Sequence, residues 1–236
     1  MSEVGVLARR AVETLGRHPA PGAGLDLSAP GDRARWLVLA RLLSERVREE
    51  VALAAFARLS ADPGATPEQL GEAGPVRVAA VLGAAGLPRA EQVAPVLCRA
   101  AASLCSRHAA DLDRLAAESD GLEALGGALA ALAPGLGVAT VLRFLRPLRG
   151  AWPAARETPL ARPARAAAIH LGLLGVSEDL EGEPAALFVA CAQRVPELSP
   201  IDVEAALERL GAAACRSERV ARCPLGSDCP ARLAAR

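Results

Sequence analysis

The chain has 236 residues, of which 52% are hydrophobic and 23% are charged, a balance that suits one large or two small domains with a sizeable core. Its formal net charge is zero, which excludes a strong overall attraction to polyanions. No apolar run reaches the ~18 residues of a membrane span, and the N-terminal stretch carries charges unlike a signal peptide, so we expect a cytoplasmic protein with no membrane partner.

The residue pattern predicts a protein built of helices. Alanine, leucine, arginine and glutamate dominate, strand-like alternation is absent, and proline and glycine recur at intervals of about one helix length. Thr66 is predicted to cap a helix in which Pro67 takes the first position. Residues 152–158 and 215–236 are predicted to be irregular. In chain order, the other predicted helices cover 3–15, 32–43, 47–59, 76–85, 89–108, 111–117, 122–132, 139–148, 163–174, 183–195 and 200–210.

Lysine and tyrosine are both missing from the chain, and the absence of lysine restricts its chemistry. There is no tyrosine, and all 27 basic residues are arginine. Without lysine, no side-chain amine can form a Schiff base with a substrate.

Residues 132–140 contain a Gly-x-Gly turn between two predicted helices. Gly135 and Gly137 permit positive φ and the close approach of another molecule to the backbone. The unpaired amides at the start of the following helix can bind a phosphate group. Turns of this kind are also common as simple connectors, and the arginine-rich segment that follows also suits a solvated helix face. The pattern alone leaves both readings open.

The turn resembles the helix–hairpin–helix of the endonuclease III family of DNA glycosylases, whose hairpin reads Leu-Pro-Gly-Val-Gly. The resemblance covers nearly the whole chain, because further short motifs follow one another in the family's order. These are Ser28-Ala29-Pro30, Leu42-Leu43-Ser44-Glu45-Arg46, Gly86-Leu87, Ala90 and Cys98, Gly150, Trp152 and Pro153, Arg162, and Gly211 to Cys215.

The resemblance implies an all-α, two-lobed DNA glycosylase fold with a C-terminal cysteine loop. One lobe, over residues 28–150, is a six-helix barrel that contains the hairpin. The other lobe joins residues 1–27 to residues 151–236. A monomer is expected to bind DNA of the nucleoid in the cleft between the lobes, with hairpin contacts from Gly135, Leu136, Gly137, Ala139 and Thr140.

The family's two catalytic positions are both altered in this chain. Ala139 stands where the family has the lysine that attacks the sugar, and Glu157 stands where it has an invariant aspartate. Pro159 replaces the family's usual histidine. A carboxylate can still stabilise an oxocarbenium ion and activate water. The resemblance therefore predicts a monofunctional N-glycosylase for damaged bases, such as oxidised pyrimidines, that has no lyase activity.

Other interpretations of the chain remain open. A degenerate relative could bind DNA without cutting the glycosidic bond, and Glu157 would then be an ordinary surface carboxylate. A helical protein unrelated to DNA, with a chance likeness to the family, is the third interpretation, and the ordered motifs argue against it.

Three further residues are expected at the DNA by resemblance. Arg46 stands where the family often has a side chain that fills the gap left by an extruded nucleotide. Leu87 is the candidate wedge on the other strand, and Arg162 follows the hairpin at the family's spacing. The alternatives are an exposed charge at a helix end for Arg46 and a core position for Leu87.

The chain has six cysteines in two groups. Cys98, Cys105 and Cys191 are surrounded by apolar residues and are predicted to be core thiols. The other group consists of Cys215, Cys223 and Cys229.

This second group resembles the family's 4Fe–4S loop with its second ligand missing. The three thiols are expected to hold that cluster, with zinc or no metal as the alternatives. The fourth ligand stays open between a solvent oxygen, Glu218, Asp228 and Cys191.

Overall fold

The structure is a computed structural model that describes residues 3–176, 180–215, 223–228 and 230. In this part of the chain the protein is all-α, and no strand is present. No helix of the described residues is both long and apolar enough to cross a bilayer.

The chain divides into two compact units. The larger unit is Pro19–Arg156, and the smaller unit joins Met1–His18 to Glu157–Arg236. The lobes expected from the sequence have their limits at residues 28 and 150 instead.

Each predicted helix is present, with ends that differ by a few residues. The predicted helix over 76–85 continues an element that starts at Pro67, with a kink at Gly74, whose φ is +71°, before Pro75. The elements are α1 (Glu3–Leu15), α2 (Pro19–Gly22), α3 (Pro30–Leu43), α4 (Glu49–Ala61), α5 (Pro67–Ala84), α6 (Ala90–His108), α7 (Leu112–Ala117), α8 (Gly121–Ala130), α9 (Val138–Leu145), α10 (Arg162–His170), α11 (Glu183–Arg194), α12 (Pro200–Ala213) and short 3-10 turns at Arg146–Leu148, Pro153–Ala155 and Gly226–Asp228.

The predicted helix start at Thr66 is confirmed in detail. Its side chain accepts a hydrogen bond from the amide of Gln69 at 3.4 Å, and the Gln69 side chain accepts one from the Thr66 amide at 3.2 Å. This reciprocal pair is a capping box, which satisfies two of the amides left unpaired at the start of α5.

The core of the larger unit fixes the direction of α9, the helix that follows the hairpin. Trp36 of α3 is 1% exposed, and its indole nitrogen donates a hydrogen bond to the carbonyl oxygen of Phe144 at 3.0 Å. The Phe144 ring in turn meets the edge of Trp152, with ring centroids 5.6 Å apart. These contacts join α3, α9 and the 152–155 turn into one packed layer.

Segment 152–155, for which the sequence predicts irregular structure, is held by a partly buried hydrogen-bond network. The carboxylate of Asp113, in α7, accepts hydrogen bonds from the Trp152 indole and from the guanidinium of Arg33. Arg33 also donates to the carbonyl oxygens of Leu27 and Ser28, at 2.8 and 2.9 Å. One carboxylate therefore connects the start of α3 to the end of the larger unit.

The smaller unit is built around a close contact between α10 and α12. A Cβ atom added at Gly211 would lie 1.9 Å from the carbonyl oxygen of Pro163, so only glycine fits there. The side chains of Leu7, Ala8 and Ala11 in α1 belong to the same apolar core. The motif around Gly211 thus has a packing role in this fold.

Candidate nucleic-acid interface

The chain turns sharply at the predicted hairpin, between α8 and α9. The carbonyl oxygen of Ala133 accepts a hydrogen bond from the amide of Leu136 at 3.1 Å, and Gly135 has a φ of +103°. Proline at the second position of a turn, followed by glycine with positive φ at the third, is the pattern of a type II turn. The turn itself therefore requires Gly135.

Helix α9 begins directly after this turn, with Gly137 as its N-cap residue and no side-chain cap. The Gly137 carbonyl accepts the first hydrogen bonds of this helix, which come from the amides of Thr140 and Val141 at 2.9 and 3.1 Å. Val138 and Ala139, which precede them, are both exposed. The amides of a helix's first turn are unpaired and lie at its positive end, so this end of α9 suits an anion such as a phosphate.

The two glycines of the hairpin differ in what the fold demands of them. A Cβ atom added at Gly135 would lie 2.7 Å from Cγ2 of Val96, whereas one added at Gly137 would meet nothing within 4 Å. Gly137 has a φ of −74°, which any residue adopts. Turn geometry and packing explain the first glycine, while neither explains the second. The open space at Gly137 leaves the start of α9 accessible.

Two of the predicted hairpin contacts have buried side chains. Leu136 is 3% exposed and Thr140 is 4% exposed, so neither side chain is available to a ligand at the surface. Both face the core of the larger unit because the hairpin closes over it. Any contact from these two positions is limited to the backbone, whereas Gly135, Gly137 and Ala139 are exposed.

Arg46 lies in the loop over residues 44–48, between α3 and α4. The helix before it is closed by the Ser44 hydroxyl, which donates a hydrogen bond to the Ala40 carbonyl at 2.7 Å. Arg46 is exposed and forms no ion pair with any residue that the structure describes. Its guanidinium is therefore available to an anionic partner.

Leu87 is a core residue, which corrects its prediction as a wedge. It is 3% exposed and belongs to the apolar cluster of the larger unit. Its amide donates to the Leu82 carbonyl at 3.0 Å, and that of Gly86 donates to Gly83 at 2.9 Å. These two bonds form a Schellman motif, in which the residue after the glycine packs back on the helix. Withdrawing a leucine from a core costs about 1.5–3 kcal/mol, so Leu87 is unsuited to insertion into DNA.

Helix α6 connects the loop over residues 86–89 to the hairpin. It starts at Ala90, immediately after that loop, and its Val96 side chain lies under Gly135. Because of the helical rise, Ala90 and Val96 lie about 9 Å apart along the axis of α6. The structure thus brings three predicted segments into one unit, at the hairpin, at the 44–48 loop and at the 86–89 loop.

Glu157 and Arg162 lie in the smaller unit. Glu157 is exposed in a turn, and its carboxylate has no hydrogen-bond or ion-pair partner among the described residues. The next residue, Thr158, is completely buried. Arg162 is exposed at the first position of α10. Both charged groups are open to solvent.

The cysteines of the first group differ in burial. Cys98 and Cys191 are 8% and 0% exposed, as predicted for core thiols, whereas Cys105 is half-buried. Burial raises the pKa of Cys191 to about 11, and the nearby charge of Glu204 adds to this shift. Burial also raises the pKa of Cys98. These thiols stay protonated at neutral pH and are poor ligands or nucleophiles.

The second cysteine group is described only in part. Cys223 is buried in the core of the smaller unit, and Cys215 is half-buried against the same core. Cys229 and Glu218 lie outside the described residues. Within the described ranges, no three His, Cys, Asp or Glu side chains are grouped to hold a metal.

Sequence reasoning missed the polar residues that join distant segments. Glu45 forms ion pairs with Arg41 and Arg89, and Asp113 joins Arg33 to Trp152. The i,i+4 spacing of Arg41 and Glu45 was a readable signal for one of these contacts. The others span long stretches of sequence and leave no local pattern.

Compared with known protein families and with curated proteins, the sequence matches none of them.

Proposed function

We propose that this protein binds duplex DNA through the hairpin between α8 and α9, and that it is a divergent helix–hairpin–helix glycosylase of the endonuclease III type. The observation that carries the proposal is the open start of α9. Gly137 has an ordinary φ and no neighbour within 4 Å of a Cβ position, so neither backbone conformation nor packing requires glycine at this N-cap. The absence of a side chain leaves the first amides of the helix open to a phosphate.

The proposed reaction is hydrolysis of the glycosidic bond of a damaged base, with an oxidised pyrimidine as the expected substrate. Glu157 acts as the carboxylate, which stabilises positive charge on the sugar and takes a proton from the attacking water. Water adds to the anomeric carbon, and the base departs with the electrons of the broken bond. Because Ala139 replaces the family's amine, the product is an intact strand with an abasic site.

A second candidate function is DNA binding without catalysis. The carboxylate of Glu157 is exposed and lacks a hydrogen-bond partner among the described residues, so nothing there holds it in one orientation. A loose carboxylate loses rate, since an error of ~1 Å in position can cost on the order of a hundredfold.

The test uses duplexes that each carry one lesion, such as thymine glycol, dihydrouracil, uracil or a mismatch. Half of each reaction is treated with hot alkali, which breaks strands at abasic sites. We expect breaks only in the treated half. Breaks without alkali contradict the absence of lyase activity, and no breaks with intact duplex binding favour the non-catalytic candidate.

The role of Glu157 is tested with Glu157→Gln and a matched control. Glu13→Gln removes the same charge from an exposed position on α1. We expect alkali-dependent breaks to disappear in Glu157→Gln alone, with duplex affinity nearly unchanged in both variants. Equal activity in the two variants excludes Glu157 as the catalytic carboxylate.

The proposal includes an iron–sulfur cluster on Cys215, Cys223 and Cys229. Such a cluster supplies a structural clamp for the C-terminal loop and takes no part in base removal. Its presence is checked by visible absorption and by iron, sulfide and zinc analysis of the purified protein. Zinc without sulfide would assign the thiols to a zinc site, and neither metal would leave them without one.

A further inference from the structure

Glu45 connects the two loops that lie beside each other at the ends of α3 and α5. Its carboxylate forms an ion pair with Arg41, one turn earlier in α3, and a second with Arg89 at 2.6 Å. The Glu45 side chain is only 8% exposed. Glu45 belongs to the 44–48 loop and Arg89 to the 86–89 loop, so one buried carboxylate bridges both.

At the Arg41 end of this bridge, the guanidinium depends on the Glu45 carboxylate as its acceptor. The Arg41 side chain is 12% exposed, and its buried Nε atom has no hydrogen-bond partner. A buried guanidinium that loses its carboxylate is costly, since one of its donors is already unsatisfied. Arg41 therefore keeps Glu45 in place at the inner end of the bridge.

The Arg89 side is unusual in its backbone. Arg89 has a φ of +55°, and only two other non-glycine residues of the described chain, Ala109 and Ala110, have positive φ. A left-handed conformation costs a residue with a side chain about 1–2 kcal/mol. The ion pair with Glu45 helps to hold Arg89 in this conformation at the N-cap of α6, and so fixes the path of the 86–89 loop.

We propose that Glu45 is a positioning residue that holds the 44–48 and 86–89 loops at a fixed separation, so that both press on the same step of a DNA duplex and open it. This inference rests on the proposed DNA function. Arg46 supplies the free guanidinium of the first loop. Since Leu87 is buried, the exposed residues of the second loop are Gly86, Pro88 and Arg89.

The two residues of the bridge carry opposite charges, so replacing each one should change DNA affinity in opposite directions. A positioning role should instead be lost in both variants. Glu45→Gln removes a negative charge from the interface, which strengthens general attraction to phosphates. Arg89→Gln removes a positive charge and has the opposite effect. Both variants break the bridge. Unstacking that is lost in Glu45→Gln as well, although that variant keeps the Arg89 side chain, is therefore due to position.

The experiment uses the full chain and a duplex in which a tetrahydrofuran abasic-site analogue faces 2-aminopurine. Fluorescence anisotropy measures affinity, and 2-aminopurine emission measures unstacking of the base opposite the lesion. We expect the emission increase at saturating protein to fall roughly fivefold in both variants, the size set by one partly buried ion pair. Affinity should rise slightly in Glu45→Gln and fall in Arg89→Gln.

Matched controls carry the same charge changes outside the bridge. Glu50→Gln, at the start of α4, and Arg99→Gln, on α6, alter exposed residues that have no ion pair with the described residues. We expect their emission increases to equal that of the unmodified protein. Thermal unfolding confirms that each variant is folded, and Arg89→Gln tests the bridge from its exposed end if Glu45→Gln is unstable.

The outcomes distinguish this inference from the function on which it rests. If the unmodified protein does not bind the duplex, both the proposed function and the inference fail. If it binds without unstacking 2-aminopurine, or if both bridge variants unstack it normally, the positioning role fails and DNA binding stands. If the emission increase is lost in only one of the two variants, the charge of that residue is responsible, and the positioning role is again overturned.

Discussion

Gly135, in the turn before α9, packs directly against Val96 of α6, and a Cβ atom at this position would lie 2.7 Å from Cγ2 of the valine. The hairpin and α6 are thus in backbone-to-side-chain contact. Because Gly135 also has a φ of +103°, its replacement by alanine combines a steric clash with an unfavourable backbone conformation.

We expect Gly135→Ala to lower the free energy of unfolding by about 2–4 kcal/mol. Denaturant unfolding followed by circular dichroism measures this change. Gly127→Ala in α8 is the matched control, since a Cβ there meets nothing within 4 Å. Alanine favours a helix interior by roughly 0.5–1 kcal/mol, so the control should be slightly more stable than the unmodified protein. Similar losses in both variants would contradict the role of Val96.

Gly137→Ser should separate DNA binding from stability. Serine is a good N-cap residue, and the position has open space, so the unfolding free energy should change little. Its side chain would occupy the approach to the first amides of α9 and cap one of them. We therefore expect duplex affinity to fall roughly tenfold, measured by anisotropy at low and physiological salt. Unchanged affinity in a folded Gly137→Ser protein would exclude the phosphate site.

Asp113→Ala should destabilise the larger unit by about 2–4 kcal/mol, because it leaves partly buried donors of Arg33 and Trp152 without this acceptor. Asp113→Asn keeps one oxygen acceptor and should cost less. The chain has two tryptophans, so the emission of Trp152 is readily followed in a Trp36→Phe background. We expect a shift of that emission in Asp113→Ala. An unchanged emission and stability would show that the network contributes nothing.

Stability should fall between about pH 9 and pH 11 because of the buried thiols. The pKa of Cys191 is raised from 9.0 to about 11, so in this range the folded state keeps a proton that the unfolded chain has lost. The unfolded state then binds fewer protons, and the free energy of unfolding decreases as pH rises, by up to about 2–3 kcal/mol. The chain lacks lysine and tyrosine, so few other groups titrate there.

Cys191→Ala tests the origin of this slope. The variant should be less stable at pH 8, because it leaves a small cavity, but its stability should decline less between pH 9 and 11. Cys98, whose pKa is also raised by burial, accounts for part of the remaining slope. Equal slopes in the variant and the unmodified protein would contradict the buried protonated thiol. Urea unfolding at a series of pH values measures both.

The hairpin turn and Leu87 show which features of the candidate site a short stretch of sequence can predict and which it cannot. The hairpin turn, its Pro-Gly pair and the helix after it were readable, because a type II turn depends on adjacent residues. Leu87 was ambiguous between wedge and core, since a leucine after a glycine suits both. Its burial was decided by the Schellman motif and by the helices that pack around it.

The sequence by itself determined the helical class, the helix limits to within a few residues, the Thr66 cap and the hairpin turn. All of these follow from propensities and from hydrogen bonds between residues at most a few positions apart. Only the tertiary structure decided that Gly135 is required and Gly137 is not, and that Glu45 reaches Arg89 across 44 positions. Contacts of this kind depend on which helix surfaces meet, and no short stretch of sequence specifies that.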